Sequence, residues 1–207
     1  MVYAGLMTER GYHHGNLRVV LLQNAEELLR TDGADALSLR EVARRAGVSH
    51  GAPRAHFIDR QSLLNALAVR GFERLTDAVR AALEGDAAFE ERFRLVARAY
   101  VRFAVDDAAL MELMFAAKTG DTDGNVHEAA AQLFHTLESA IDSGTASSSD
   151  SRERFKLLFA ATMQGTASLI VAQRVTAEQG QRIVEDAADV LLESRLRAQA
   201  MPDLRIQ

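Results

Sequence analysis

The chain has 207 residues, 48% hydrophobic and 26% charged, with no cysteine and a formal net charge of −5. That length holds one large domain or two small ones with a sizeable core, and the lack of cysteine excludes a disulfide framework, thiol catalysis and a cysteine-ligated metal. No apolar run approaches the ~18 residues of a membrane span, no basic-then-apolar leader opens the sequence, and two prolines with few β-branched runs favour a nearly all-helical, cytoplasmic protein.

Residues 1–14 read as a flexible polar arm containing His13 and His14. From Gly15 to Leu29, Leu17, Val20, Leu21, Ala25, Leu28 and Leu29 recur at near-helical spacing, and Thr31-Asp32-Gly33 ends that helix. Ser38 and Glu41 then have the S-x-x-E spacing of a capping box. Leu39, Val42, Ala43 and Ala46 fall on one face of the short helix that follows, and Gly47 stands where a left-handed backbone is easiest for glycine. Val48 plugs the turn into the core and Ser49 is placed to cap a second helix. Two helices joined by a short glycine-containing turn, here over about 38–57, make the helix-turn-helix pattern, whose second helix enters the major groove of DNA. An ordinary helical hairpin is the competing reading. Downstream, Asp59 can cap a long helix from Arg60 to about Leu83.

Beyond it, turn signals at Glu84-Gly85-Asp86, Thr119 to Asn125 and Asp142 to Asp150 separate helices expected near 86–104, 107–117, 125–142, 151–173 and 178–199, with a frayed tail from Met201. Phe103, Met111, Met114 and Phe115 cluster around the first two of these segments. Phe155, Phe159, Met163, Leu169 and Ile170 occur in a later one, with Gln164 as a lone polar member. The set reads either as plain core or as an adaptable apolar cavity in which Gln164 orients a ligand. The last helix carries Ile183, Val184, Ala187, Val190, Leu191 and Leu192.

Charge is segregated. Residues 38–60 hold five arginines against Glu41 and Asp59, a net of +3, whereas residues 61–207 hold 16 basic and 22 acidic residues, a net of −6. A basic head on an acidic body biases which end approaches a polyanion.

Leu37-Ser38-Leu39-Arg40-Glu41-Val42-Ala43-Arg44-Arg45-Ala46-Gly47-Val48-Ser49, followed by His56-Phe57 and Leu63-Leu64, resembles the TetR family of bacterial transcription regulators. The likeness covers roughly residues 15–75, and Gly11 to Leu17 is similar to the start of one branch. It departs at Arg54, where many members carry an aromatic residue, usually Tyr. Ala160 to Leu169 resembles a segment that in one branch carries Trp, His and Gly; only Gly165 keeps its place, with Ala160 and Gln164 at the other two.

The expected fold is all-α, with a three-helix helix-turn-helix DNA-binding head over 15–75 and a C-terminal helical body over 76–207. The expected function is that of a sequence-specific DNA-binding transcription regulator, a repressor released by a small molecule; a helical protein–protein adaptor is the alternative. Ser49, His50, Gly51, Arg54, Ala55 and His56 are the expected DNA-facing residues, with Gly51 letting the backbone approach the groove. Ser38, Arg40 and Arg60 are expected on phosphates, and of Arg44 and Arg45 one on phosphate and one on an acid. The arm from about Arg10 to Asn16 is expected to reach the minor groove or backbone.

The resemblance implies a small-molecule site in the body, for which Phe103, Met111, Met114, Phe115, Phe159, Met163 and Gln164 are the candidates. It also implies a homodimer paired through the last two long helices, at Phe155, Leu169, Val184, Ala187, Val190 and Leu191, reading a palindromic operator in double-stranded DNA. The sequence has no His-Glu-x-x-His zinc pattern, Gly-x-Ser-x-Gly elbow or phosphate-binding loop, so neither enzyme activity nor a cofactor or metal is expected.

Overall fold

The computed structural model describes residues 17–119, 124–141 and 149–201, in which every regular element is helical. The N-terminal arm, including Arg10 to Asn16, lies outside the described residues, as do 120–123, 142–148 and 202–207.

Helix α1 (Leu17–Asp32) runs three residues past the expected Leu29. It buries Leu21, Leu22, Ala25, Leu28 and Leu29. A short 3-10 helix at Ala34–Ala36, not anticipated, leads to α2 (Leu39–Arg45). Half of the expected capping box forms. The Ser38 hydroxyl accepts the Glu41 N–H at 3.1 Å, but the Glu41 carboxylate turns to Arg44 and Arg45 instead of back to the Ser38 N–H. Gly47 has φ of +67°, and the Val48 N–H reaches the Ala43 carbonyl at 3.0 Å while that of Gly47 reaches Arg44 at 3.2 Å. These paired bonds end α2 in a Schellman motif, which a left-handed residue requires.

Helix α3 (Arg60–Leu83) starts where expected, with a full capping box between Asp59 and Ser62. It buries Leu63, Leu67, Phe72, Leu75 and Val79 along one face and packs against α1 as well as against α4 (Phe89–Asp106), α5 (Ala108–Thr119) and α6 (Gly124–Ile141). Because α3 belongs to both ends of the molecule, one continuous apolar core runs from Leu21 in α1 to Met201. At Gly71 an added Cβ would stand 2.5 Å from the Met114 Sδ, so glycine sets how closely α3 and α5 approach.

An ion-pair cluster ties the same joint. Asp107, at the α4–α5 corner, accepts from Arg74 of α3 at 2.6 Å and from Arg30 of α1 at 3.4 Å, and Glu26 of α1 pairs with Arg70 of α3 at 2.7 Å.

Helices α4, α7 (Ser149–Val171) and α8 (Ala177–Glu193) make the far layer. Phe93 of α4 fits against Phe159 and Phe155 of α7, with ring centroids 4.1 and 5.6 Å apart. The last segment is not the single helix expected. Ser194 takes an extended backbone and donates its hydroxyl to the Leu191 carbonyl. The same oxygen accepts the Arg197 N–H, which starts α9 (Arg195–Ala200) in a new direction. Met201, expected to fray, is fully buried at the end of α9, which packs on α7. Arg197 pairs with Glu90 of α4 at 2.9 Å.

Candidate nucleic-acid interface and body cavity

The segment after α2 is tighter than a second α-helix. Residues Ala52–Ala55 form a 3-10 helix, with Ala52 donating to the Ser49 carbonyl, Arg54 to Gly51 and His56 to Pro53 at 2.9–3.1 Å. Pro53 explains this. It has no N–H for the i−4 carbonyl of Ser49, so that α-helical bond is missing; the i−3 bonds dominate, with one i−4 bond from the Phe57 N–H to the Pro53 carbonyl at 2.9 Å. The turn begins at Gly51 with no side-chain cap, so the expected Ser49 cap does not form. Buried Pro53 and Phe57 pin the turn to the core, which leaves Ser49, His50, Gly51, Arg54 and Ala55 on the outside and His56 half-buried beside Phe57.

The arginines of the head divide by partner. Arg40 and Arg54 are exposed and have no acid partner among the described residues. Arg44 is held by Glu41 through contacts of 2.8 and 2.6 Å, which keep the Glu41 carboxyl below its usual range and raise the Arg44 guanidinium. Arg45 pairs with both Asp32 and Glu41, so each of these two arginines has an acid partner, where one was expected to face phosphate. Arg60 was expected on phosphate. Its guanidinium instead donates to the Leu37 carbonyl at 2.8 Å and the Ala34 carbonyl at 2.7 Å, clamping the 3-10 turn to the start of α3. This was not legible, because backbone acceptors across 23 and 26 residues leave no mark in sequence.

The body candidates scatter. Phe115, Met163 and Gln164 line a cavity of about 20 Å³ shared by α3 to α7. Phe159 is spent on the aromatic stack with Phe93, Met114 on Gly71, and Phe103 lies under Arg74, 5.5 Å from ring centroid to guanidinium. Met111 is fully buried core outside that lining. Sequence reasoning missed Tyr100, Lys118 and Phe134, which also line the cavity. Tyr100 carried a usable signal: it follows Phe93 and Val96 at helical spacing, a polar tip on the buried stripe of α4. Burial pushes its hydroxyl well above the usual range. The Lys118 ammonium lies 4.3 Å from the Phe134 ring centroid, and desolvation lowers its pKa.

The dimer candidates also divide. Phe155 and Val184 are fully buried within the chain and have no surface to offer a partner. Leu169 and Val190 are exposed, Val190 at 70%, while Ala187 and Leu191 are half-buried.

The family model described as bacterial regulatory proteins, tetR family, matches residues 21–67, and that of the tetracyclin repressor-like C-terminal domain matches residues 93–195. A solved protein of unknown function from Rhodococcus sp. RHA1 is 37% identical, with a TM-score of 0.77 over 93% of this chain and 100% of that one. The chain belongs to the TetR family. Its head is therefore the DNA-binding end of a transcription regulator, and TetR regulators are not enzymes. The TetR-family regulator PfmR from Thermus thermophilus shares the fold at 18% identity, with a TM-score of 0.61 over 86% of this chain and 96% of that one. So does FadR from Bacillus subtilis, solved in complex with stearoyl-CoA, at 12% identity and a TM-score of 0.66 over 85% and 98%. No curated protein sequence matches the chain. Among the described residues no helix is long and apolar enough to cross a membrane.

Proposed function

We propose that this TetR-family protein is a homodimeric repressor that reads a palindromic operator and is released when a small molecule enters its body. The observation that carries the reading is the recognition surface. Arg40, His50 and Arg54 stand exposed around the turn held by Pro53 and Phe57, in a chain whose remainder is acidic. Arg40 lies in the first turn of α2 and supplies a phosphate contact; Ser49, His50 and Arg54 present the polar groups that read base edges.

One such turn buries too little for specificity, so two heads are needed. The pairing surface is the outer face of α7 and α8. Leu158, Gly165 and Leu169 follow one stripe of α7, and Ile183, Ala187 and Val190 one stripe of α8, all at least partly exposed. Small-molecule release is supported by the cavity against α3, which joins it to the head, and by the FadR complex with stearoyl-CoA in the same fold.

Enrichment of random duplexes on the purified protein tests the DNA reading. The expected product is an inverted repeat with half-sites a helical turn, or a multiple of one, apart; recovery of unrelated sequences would overturn it. Sedimentation of Val190→Arg tests the dimer. An unpaired charge in an interface centre costs several kcal/mol, roughly. The variant should run near the 22.6 kDa chain mass while the wild type runs at twice that, and a wild-type monomer at micromolar concentration would end the proposal.

A further inference from the structure

Among the described residues no carboxylate pairs with Lys118. The acidic body offers carboxylates freely, and three of the four arginines of α4 take one: Arg94 pairs with Asp189 at 2.8 Å, Arg98 with Glu185 at 3.2 Å and Arg102 with Asp106 at 3.4 Å, whereas Arg92 has no acid partner among the described residues. Lys118 is half-buried, and the face of Phe134 is its compensation; no acid reaches it among the described residues. A ring face is worth less to an ammonium than a carboxylate that accepts its N–H bonds.

The cavity beside it has a polar end and apolar walls. Its polar members are Lys118, Tyr100 and Gln164, and none donates to another described residue. The ammonium can only donate, while the Tyr100 hydroxyl and the Gln164 amide can each donate or accept, so Lys118 is the fixed donor of the set. The walls between them, including Phe72, Leu137 and Met163, are apolar. A cationic donor at the end of an apolar slot favours an anionic acceptor joined to a hydrocarbon body, which the Tyr100 hydroxyl and Gln164 amide can also bond.

The geometry points to an amphipathic carboxylate as the ligand of this body: its anion on Lys118, with Tyr100 and Gln164 completing the head-group site, and its apolar tail between Phe72 and Met163. This deepens the small-molecule release proposed above and rests on it. A space of about 20 Å³ holds roughly one water, so the ligand has to enlarge it. Phe134 is the movable wall. It is 38% exposed and its ring is seated on the ammonium that the carboxylate would take. Entry exchanges a cation–π contact for an ion pair and displaces the ring from between α5 and α6. Because α6 packs along α3, that displacement acts on the helix that begins at the head. A ligand shifts DNA affinity only by binding one of two such arrangements better.

The test is calorimetric titration of the full-length protein with octanoate, 1-octanol and octyltrimethylammonium, each below its micellar concentration, with gel-shift of the enriched duplex in parallel. Octanoate should bind one per chain, about tenfold or more tighter than octanol, with the ammonium weakest, and should release the duplex. Lys118→Gln should bring octanoate down to the level of octanol, and Lys118→Arg should keep the preference. Phe134→Ala, at an exposed position, should bind octanoate at least as tightly as wild type, which supplies the readout if Lys118→Gln fails to fold. Equal binding of octanoate and octanol to the wild type would overturn the carboxylate while leaving a ligand-released repressor standing. Binding of none of the three at millimolar concentration, with duplex retained, would remove both the carboxylate and this cavity as the release site.

Discussion

The head and the body treat cations differently. On the head, Arg40 and Arg54 are left open to solvent around a turn only four residues long. On the outer layer of the body, Arg94, Arg98 and Arg197 each reach across to an acid on another helix. Arg92, Arg174 and Arg195 of the body also have no acid partner among the described residues, so an unmatched cation marks a site for an outside anion only where the surface or cavity around it suits one. By that measure the head marks a polyanion at its surface and Lys118 marks a small anion inside. The paired arginines belong to the frame.

The largest test of this division is Phe93→Ala. Phe93 is almost fully buried against three other rings, so its removal should cost about 3–5 kcal/mol. Since α3 serves both regions, head and body should still unfold in one transition in thermal denaturation. Two separate transitions would mean that the regions are independent domains, and coupling through α3 would fall with that result.

The same contrast explains what could be read from the sequence. The head was legible because its signals are local. Ser38 caps the residue three along, Gly47 supplies the left-handed turn, and Asp59 and Ser62 cap each other, all within a few residues. The apolar stripes of the body gave its helices for the same reason, to within a few residues at each end. What failed was partly local competition between bonds and partly the long-range surroundings of a side chain. Pro53 has no N–H to close an α-helical bond to Ser49, and the turn takes mostly i−3 pairing, with one i−4 bond from Phe57 to Pro53. Ser194 broke the last helix because its hydroxyl satisfies both ends at once. Periodicity marked Phe155, Phe159, Met111 and Val184 as apolar but could not say whether an apolar side chain faces a cavity, a partner or the core. Lys118 was invisible as a site residue, because the meaning of a lysine depends on which acids fail to reach it.

The head can be divided further by paired substitutions. Arg60→Ala removes two charge-assisted bonds to the Leu37 and Ala34 carbonyls and should cost about 1–2 kcal/mol in stability. It should leave the salt slope of DNA binding unchanged wherever the protein remains folded. Arg40→Ala should do the reverse, with an unchanged melt and a slope smaller by about one. If Arg60→Ala flattens the slope and leaves the melt alone, its guanidinium leaves the carbonyls for phosphate and the assignment of frame and contact is inverted.

Glu41 offers the smallest and most pointed effect. Its carboxylate occupies Arg44, whose side chain is 66% exposed at the edge of the recognition surface. The helix cap does not depend on that carboxylate, because Ser38 bonds the Glu41 backbone N–H. Glu41→Gln should therefore leave the melt within error, and Arg45 should stay with Asp32. Arg44 would be released, converting a frame arginine into a free one of the Arg40 kind. The salt slope, measured by fluorescence anisotropy, should then steepen by about one. Acid should act in the same direction. The bond from Arg44 depresses the Glu41 carboxyl below 4.5, so the pair is intact above that pH, and protonation frees Arg44 only as pH falls through the lowered value. A Glu41→Gln slope equal to wild type would mean that a free arginine at this position lies beyond reach of the phosphates. The DNA-facing surface would then be confined to Arg40 and the turn from Ser49 to Ala55.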